Sequence, residues 1–412
     1  MSPPNTSSAE LLLPLDSSGS GDQWLARDTS STELRLLLVE RLPDRFAEQQ
    51  GLTDQLATEA RSAAALRHER IVETVAAGPV DGDFSLLHLF PPGDPLDQLV
   101  RSGPPPLAIT LRLLADIVEG LAAAHQNDQH HGALSPEVIH LGCDGTARLA
   151  RFGTAQIVRR VRHNWGELTA HQLSYLAPEH CMNDPLDSRT DIFNLGTLLW
   201  EMLTGRSLFE KEDEFERMRA ICEEQPPPPT RFNDAIPPLL NSLTLKALSI
   251  EPDDRFGDAV ELGRALEGIL SRSQEAASHP DVARWVSQSS TQYETWQRIE
   301  RAGHQGELLE VVRAVATLYD VDPNRARLGQ AGGPPTETSP ASTVSEPEPP
   351  PTVDTADEEP NPFDSPTSEA EASAEDLFDD WSDDNWADDG LAEESVEEVS
   401  VEESDADDGF PT

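Results

Sequence analysis

Lysine is nearly absent from this chain of 412 residues, which contains only Lys211 and Lys246 beside 28 arginines. No lysine precedes position 211, so any chemistry that needs a lysine ammonium in the first 200 residues is excluded. Cysteine is also scarce. Cys143, Cys181 and Cys222 are odd in number and far apart, which argues against a disulfide framework or a zinc site and favours a reducing compartment.

Positive charge is missing altogether from residues 331–412, which contain 27 Asp and Glu and no Lys or Arg. The formal net charge is −46, so residues 1–330 carry −19. The chain therefore divides into a moderately acidic part and a strongly acidic tail. Nucleic acids and anionic membranes are not expected as partners, because both require a surplus of Lys and Arg.

Long apolar runs are missing too. No stretch approaches the roughly 20 apolar residues that a membrane span requires. The first 20 residues contain the apolar run Leu11–Leu13 but lack the basic segment and the apolar segment of about 7–15 residues that define a signal peptide. We therefore expect a cytoplasmic protein.

Strands dominate the first 90 residues and helices dominate the rest. Short apolar segments separated by Ser, Gly or Pro predict strands over residues 11–42 and 71–90, and residues 52–67 repeat Leu and Ala with the period of a helix. The longest helical patterns follow, over residues 107–126, 191–205, 237–249 and 259–270. The fold class predicted is α+β, with a small β-rich lobe that has one helix and a larger helical lobe.

A series of short motifs resembles the serine/threonine protein kinase family in its bacterial form. In chain order they are LDSSGSGDQWLARD (15–28) for the glycine-rich loop, LLVE (37–40) for V-A-I-K, Glu59 for the αC glutamate, HGALSPEV (131–138) for H-R-D-L-x-x-x-N, Arg151-Phe152-Gly153 for D-F-G, Ala177-Pro178-Glu179 for A-P-E, Asp191, and Arg255. The resemblance covers about residues 10–272 and implies the two-lobed kinase fold.

The resemblance also gives the domain organisation. A kinase-like domain is expected over residues 10–272, with its small lobe over about 10–92 and its large lobe over about 93–272. Residues 275–328 hold helical patterns that are expected to pack as a small hairpin on the large lobe. Residues 330–412 are too acidic and too poor in apolar side chains to form a core, so a disordered tail is expected.

The residues that carry phosphoryl transfer in this family are replaced. The resemblance places Glu40 at the phosphate-binding lysine, Ala133 at the catalytic aspartate and Ser135 at the following lysine. Val138 and Arg151 stand at the two magnesium ligands. Mg²⁺ needs oxygen ligands, which Val138 lacks, and Arg151 would repel the ion. No catalytic residue and no metal site are therefore predicted.

Some positions of the nucleotide pocket remain candidates. They are Gly21, Glu59, His88, Phe152 and Gly153. The first two glycines of the glycine-rich loop are replaced by Asp16 and Ser18, which reduces the approach of backbone N–H groups to phosphates. No cofactor is expected, and ATP bound without Mg²⁺ is the alternative.

Other family positions are kept and point to structural roles. Glu179 and Arg255 are similar to a buried ion pair that ties the activation segment to the large lobe. Asp191 is similar to the aspartate that braces the catalytic loop. His131 is interpreted as a core histidine that packs with Phe152, rather than as a catalytic base.

Arg151 suggests one specific hypothesis. Two carboxylates that face one another without a cation resist ionisation. Arg151 is therefore predicted to replace the missing lysine as the partner of Glu59, and also of Glu40, and so to lock an empty pocket. The alternative is an Arg151 side chain that points into solvent.

The tail contains one patterned segment, DLFDDWSDDNWADDGL, in which apolar residues interrupt dense acid. Its candidate partner-docking residues are Phe378, Trp381, Trp386 and Leu391. The alternative is a solubilising tail with incidental aromatic residues.

Three functions remain open from the sequence. The first is a pseudokinase that binds proteins in signalling or as a scaffold, with an active kinase or a kinase substrate as partner. The second is an atypical serine/threonine kinase that binds ATP and transfers phosphate through unusual residues. The third is a scaffold that acts mainly through its acidic tail.

Overall fold

The computed structural model describes residues 6–15, 22–49, 51–164, 166–271 and 277–328. The small lobe is an antiparallel sheet with strand order β1-β2-β3-β5-β4 and two helices. Its elements are β1 (Ala9–Pro14), β2 (Gln23–Asp28), β3 (Leu36–Arg41), α1 (Asp44–Glu48), α2 (Leu52–Ala63), β4 (Thr74–Val80) and β5 (Asp83–Leu89).

The two faces of this sheet have different environments because side chains alternate along each strand. Trp24 and Val39 belong to an apolar cluster on one face. Leu25 and Leu38 belong to a different cluster on the other. Glu40 shares the second face with Leu38, two positions earlier on β3. We call this second face the cleft face, because Glu40 contacts the large lobe from it.

The large lobe is mainly helical. Its elements are β6 (Asp94–Pro95), α3 (Leu96–Leu99), α4 (Leu107–His125), β7 (Ile139–Leu141), β8 (Ala147–Leu149), α5 (Ala155–Asn164), α6 (Ala170–Leu173), α7 (Pro178–Cys181), α8 (Ser188–Thr204), α9 (Glu214–Glu223), α10 (Pro238–Ala247) and α11 (Ala259–Leu270). Helices α4 and α8 are apolar on most of their surface and form the centre of the core. Asp187 caps the start of α8, and Gly205 ends it in the left-handed conformation that glycine adopts without strain.

Three further helices follow, α12 (His279–Ser289), α13 (Tyr293–Gln305) and α14 (Leu308–Leu318), which we call the extension. Helices α13 and α14 pack against each other. The extension contacts both lobes: α12 packs on α4 and Trp296 of α13 donates to Asp94 of the large lobe, as a hairpin on the large lobe would, whereas the packing of α14 on β1 of the small lobe was not predicted. The reason is the broad apolar face of α14, which the cleft face of the sheet covers.

The predicted fold class is confirmed: a β-rich small lobe and a larger helical lobe are both present. Helices α5 and α9 were not predicted, because each buries few apolar side chains. The division into a kinase-like domain, an extension and a tail stays a prediction. Gly21, Phe378, Trp381, Trp386 and Leu391 lie outside the described residues. Within the described ranges, no helix is long and apolar enough to cross a membrane.

Candidate functional site

The catalytic loop lies between the lobes and is apolar. Ala133, Ser135 and Val138 are all buried. The loop then enters a short 3-10 turn, Pro136–Val138, that leads into β7. Among these three side chains only Ser135 carries a polar atom. These three positions therefore offer neither a carboxylate for proton transfer nor an amide oxygen for a metal ion, and the one carboxylate of the loop, that of Glu137, accepts a hydrogen bond from the side chain of Gln172 at 2.9 Å.

The backbone of this loop is held by Asp191 at the start of α8. Its carboxylate accepts hydrogen bonds from the backbone N–H of His131 and of Gly132, each at 2.7 Å. Nε2 of His125 donates to the same carboxylate at 3.0 Å, because Nδ1 of His125 accepts from the backbone of Ala259. Burial alone would raise the pKa of Asp191. The hydrogen bonds from these donors outweigh burial, so the pKa lies below its ordinary value. His125 was not singled out from the sequence.

His131 packs under the site. Its ring lies 4.8 Å from that of Phe152 in an edge-to-face arrangement, and its Nε2 lies 2.9 Å from the carbonyl oxygen of Ala150. Burial lowers the pKa of His131, against the opposing charge of Asp191. A buried, neutral imidazole with both nitrogens engaged is a packing residue.

The structure brings Glu179 and Arg255 together as a bidentate pair. Nη1 and Nη2 of Arg255 donate to the two carboxylate oxygens of Glu179, at 2.7 Å and 3.0 Å. The hydroxyl of Thr190 also donates to Glu179, at 2.8 Å. Both charged side chains are buried, so the pair is stable because its polar atoms are satisfied.

Arg151 contacts Glu40 across the cleft. Nη2 of Arg151 donates to Oε1 of Glu40, and the side chain of Gln23 donates to the same oxygen at 3.2 Å. The Glu40 side chain is 14% exposed and the Arg151 side chain is 36% exposed. Burial alone would raise the pKa of Glu40. The charge of Arg151, with weaker contributions from other groups, outweighs burial and holds the pKa below its ordinary value, so Glu40 stays ionised.

Arg151 holds this position with a backbone φ of 67°. A non-glycine residue in the left-handed region is uncommon, and the conformation costs about 1–2 kcal/mol. The ion pair to Glu40 therefore forms from a backbone that is otherwise unfavourable for arginine.

The Glu59 part of the Arg151 hypothesis is wrong. Glu59 lies on α2 with a half-buried side chain, and within the described residues it forms no ion pair with Arg151. Instead, the backbone of α2 lies directly against Gly153. A Cβ on Gly153 would come 2.6 Å from the carbonyl oxygen of Glu59, which only glycine avoids at its φ of 73°.

His88 is buried on β5 beside the ion pair. The hydroxyl of Thr74 donates to the carbonyl of Phe152 at 2.8 Å, so the N–H at Nδ1 of His88 donates to Thr74, at 3.3 Å. Among the described residues, Nε2 of His88 has no hydrogen-bond partner. Burial lowers the pKa of His88 to about 4; Glu40 opposes this shift and Arg151 adds to it.

The extension closes the mouth of the cleft. Phe90, directly after β5, lies between two aromatic rings of the extension, with ring centroids 6.0 Å from Trp296 and 6.4 Å from Tyr319. Nε1 of Trp296 donates to the carboxylate of Asp94 in β6 at 2.8 Å. These contacts join the extension to the segment between the lobes.

The extension also covers the roof of the cleft. Leu25 and Leu38 of the cleft face pack in one cluster with Val311 and Val315 of α14. Burial raises the pKa of Tyr319 to about 12, and the nearby carboxylate of Glu40 adds to the shift. In the large lobe, the turn between β7 and β8 lies so close to α12 that a Cβ on Gly145 would meet the carbonyl oxygen of His279 at 2.0 Å.

Little space remains at the catalytic loop. The cavity there has a volume of about 80 Å³, and its wall includes Glu40, Ala133, Val138 and Arg151. Small-molecule sites are usually about 300–1,000 Å³. At the two magnesium positions of the family stand an alkyl chain and a guanidinium, and neither supplies an oxygen ligand.

A family model described as the protein kinase domain matches residues 40–266, which is more than half of the chain. The chain belongs to the protein kinase family. The kinase domain has bacterial relatives among characterised proteins. It is 28% identical over 237 residues to the serine/threonine-protein kinase PknL of Mycobacterium tuberculosis, covering 57% of this chain and 59% of that relative. It is 27% identical over 250 residues to the tyrosine-protein kinase MasK of Myxococcus xanthus, covering 58% of this chain and 39% of that relative.

The chain thus spans between two fifths and three fifths of the length of these relatives. Among solved structures, the kinase domain of Mycobacterium tuberculosis PknI matches with a TM-score of 0.50 and 21% identity, over 65% of this chain and 98% of that one. At this identity the likeness shows the fold alone. The expectation that no cofactor is used stays a prediction.

Sequence reasoning missed the role of the extension in the site. Trp296 and Tyr319 were recognised only as members of helical patterns. The available signal was their spacing, which places aromatic residues on the apolar faces of α13 and at the end of α14. The surface that receives them is assembled from β1, β3 and Phe90, which lie more than 200 residues away in the chain.

Proposed function

We propose that this kinase domain is a pseudokinase, which keeps the fold for protein binding and does not transfer phosphate. The observation that carries the proposal is the closed cleft. The extension covers its roof and mouth, the pair between Arg151 and Glu40 crosses it, and the cavity beside the catalytic loop has a volume of about 80 Å³. Phosphoryl transfer requires space for the nucleotide, a cation that binds its phosphates and ligands for magnesium. The extension occupies the space, Glu40 stands at the position of the cation, and Arg151 stands at the position of a metal ligand.

The module would act through its surface. Its partners would be proteins, with an active kinase or a substrate of one as the kind of partner that a kinase-like surface suits. Neither nucleic acid nor membrane is proposed as a partner, because the chain carries a formal net charge of −46.

Thermal unfolding of the full-length protein with ATP, with and without Mg²⁺, tests the proposal. We expect no increase of Tm with ATP and Mg²⁺, because ligand binding to the folded state alone would raise it. The variant Trp296→Ala is the matched comparison. It removes one of the two described side chains of this region that donate to Asp94, the other being Ser290, so its Tm should fall. ATP with Mg²⁺ should still produce no shift, because Val138 and Arg151 are unchanged.

The alternative is an atypical serine/threonine kinase. It is favoured by family membership and by relatives that are named kinases. Magnesium-dependent stabilisation by ATP, together with phosphate transfer to a protein substrate that Glu40→Ala abolishes, would overturn the pseudokinase proposal and establish this alternative.

A further inference from the structure

A second, larger cavity lies outside the cleft. It has a volume of about 570 Å³ and is formed by α5, by His130 before the catalytic loop and by the segment over residues 176–186. This volume is within the usual range for small-molecule sites. The cavity plays no part in the proposed function.

The wall of this cavity is basic, in a chain that is strongly acidic overall. Its side chains of basic type are His130, Arg159, Arg160, His163 and His180, of which His180 is neutral because burial lowers its pKa well below the ordinary value. Helix α5 supplies three of them and contains no Asp or Glu. The wall includes two carboxylates. Glu179 is already bound by Arg255, and Asp184 is exposed.

Arg159 is the central group because its charge is poorly compensated. Its terminal nitrogens contact the carbonyl oxygens of Gly132 at 2.7 Å and Tyr175 at 3.3 Å, and the ring of His180 at 2.6 Å. Within the described ranges it forms no ion pair, and its Nε has no hydrogen-bond partner. Burial lowers the pKa of Arg159 to about 10, although the charge of Asp191 opposes this shift.

A second buried nitrogen belongs to another residue of the wall. Nδ1 of His163 has no hydrogen-bond partner among the described residues, and it lies 4.0 Å from a carboxylate oxygen of Glu214. Arg160 is exposed at the rim, where its guanidinium donates to the side chain of Gln55 at 3.2 Å. An anion bound in the cavity would pair with Arg160, a mobile cation at the rim, and would lie near the charge of Arg159.

We propose that this cavity binds a phosphate group, carried either by a phosphorylated serine of a protein or by a free phosphate. Guanidinium groups bind phosphate oxygens through paired, charge-assisted hydrogen bonds, which Arg160 can form here beside the charge of Arg159. The volume exceeds that of an inorganic ion, so a phosphoserine with its neighbouring residues would fill it better. Binding would need neither ATP nor the cleft.

The test is calorimetric titration of the full-length protein at fixed ionic strength. The probes are inorganic phosphate, a short phosphoserine peptide and the same peptide without phosphate. We expect saturable binding of the phosphoserine peptide, and none of the unmodified peptide. Arg160→Gln should raise the Kd at least tenfold, because it removes one guanidinium at an exposed site where folding is not affected.

Arg162→Gln is the matched control, since it removes the same charge from the same helix and lines the cleft cavity instead. It should leave the Kd unchanged. The proposal is overturned by absence of saturable binding of both phosphate probes, by equal binding of the two peptides, or by equal loss in Arg160→Gln and Arg162→Gln. Saturable binding of inorganic phosphate with the same affinity as the phosphoserine peptide would identify free phosphate as the ligand of the cavity.

This test is separate from that of the pseudokinase proposal. ATP also carries phosphates, so stabilisation by ATP without Mg²⁺ that Arg160→Gln abolishes would come from this cavity. Stabilisation that Arg160→Gln leaves intact would come from the cleft. The two proposals can therefore fail independently.

Discussion

Two arginine–glutamate pairs of this kinase domain show what its sequence has kept and what it has replaced. The pair between Arg255 and Glu179 is bidentate, with side-chain exposures of 0% and 6%. The pair between Arg151 and Glu40 has a single N–H···O contact and exposures of 36% and 14%. Arg255 also donates to three backbone carbonyls, whereas the described contacts of Arg151 from its side chain end at Glu40.

This difference in burial and in hydrogen bonding indicates that the two ion pairs have different roles. The buried pair is part of the fold, because removal of either charge leaves the other in a low-dielectric core without a partner. The cleft pair spans a space between two lobes and is partly open to water, which weakens it. We therefore expect the first pair to determine stability and the second to determine what the cleft can accept.

The largest effect is expected from Arg255→Met. This change leaves the Glu179 carboxylate buried with Thr190 as its remaining donor, and it should reduce the free energy of unfolding by about 3–5 kcal/mol. Urea denaturation at pH 7 measures the change. The control is Arg264→Met on the exposed side of α11, which should change stability by no more than about 0.5 kcal/mol. A loss below about 1 kcal/mol for Arg255→Met would contradict the assignment.

An effect of intermediate size is expected in the pH dependence of stability, and we expect its source to be His88 in the cleft. The pKa of His88 is about 4 in the folded state, against about 6.5 in an unfolded chain. Between these values the unfolded state binds more protons, so the free energy of unfolding falls as the pH falls. The contribution of His88 is complete above pH 6.5 and is lost toward pH 4, at about 1.4 kcal/mol per pH unit.

His88→Gln should remove that contribution. The slope of unfolding free energy against pH, measured by urea denaturation between pH 4.5 and 6.5, should decrease by about 1 kcal/mol per pH unit. Other buried histidines, among them His131 and His140, keep their own slopes, so the difference between variant and parent is the quantity of interest. His171→Gln, on a half-exposed ring, is the control. An unchanged slope in His88→Gln would show that His88 does not remain neutral in the fold.

The same comparison explains which features the sequence reveals. Short motifs with fixed spacing place Glu179, Asp191 and Arg255 correctly, because each motif lies in one element and its partner lies in another recognised motif. Strand alternation places Glu40 on the same face as Leu38. The fold class and the register of the catalytic loop follow from patterns of this local kind.

Features that depend on distant surfaces were not predictable in this way. The position of the extension depends on an apolar surface that forms only when the sheet is folded, so α14 and Tyr319 carried no sign of where they would pack. Whether Arg151 pairs with Glu40 or with Glu59 depends on its backbone φ of 67°. This conformation is uncommon for arginine, so the sequence does not predict it. The unpaired charge of Arg159 is visible only when its surroundings are known.

The smallest effect is expected from Arg151→Ala, and it decides whether the cleft pair is a lock or a passive replacement. The variant keeps the same backbone conformation and removes the ion pair, so the free energy of unfolding at pH 7 should fall by about 1 kcal/mol in low salt. The loss should shrink in 1 M salt, because a partly exposed pair is screened. Arg151→Gly should be less destabilising than Arg151→Ala, since glycine relieves the positive φ. Identical stability of Arg151→Ala and the parent would mean that the Arg151 charge contributes nothing to the closed cleft. A loss as large as that of Arg255→Met would show that the cleft pair is as much a part of the fold as the buried one, and the distinction between the two pairs would then have to be abandoned.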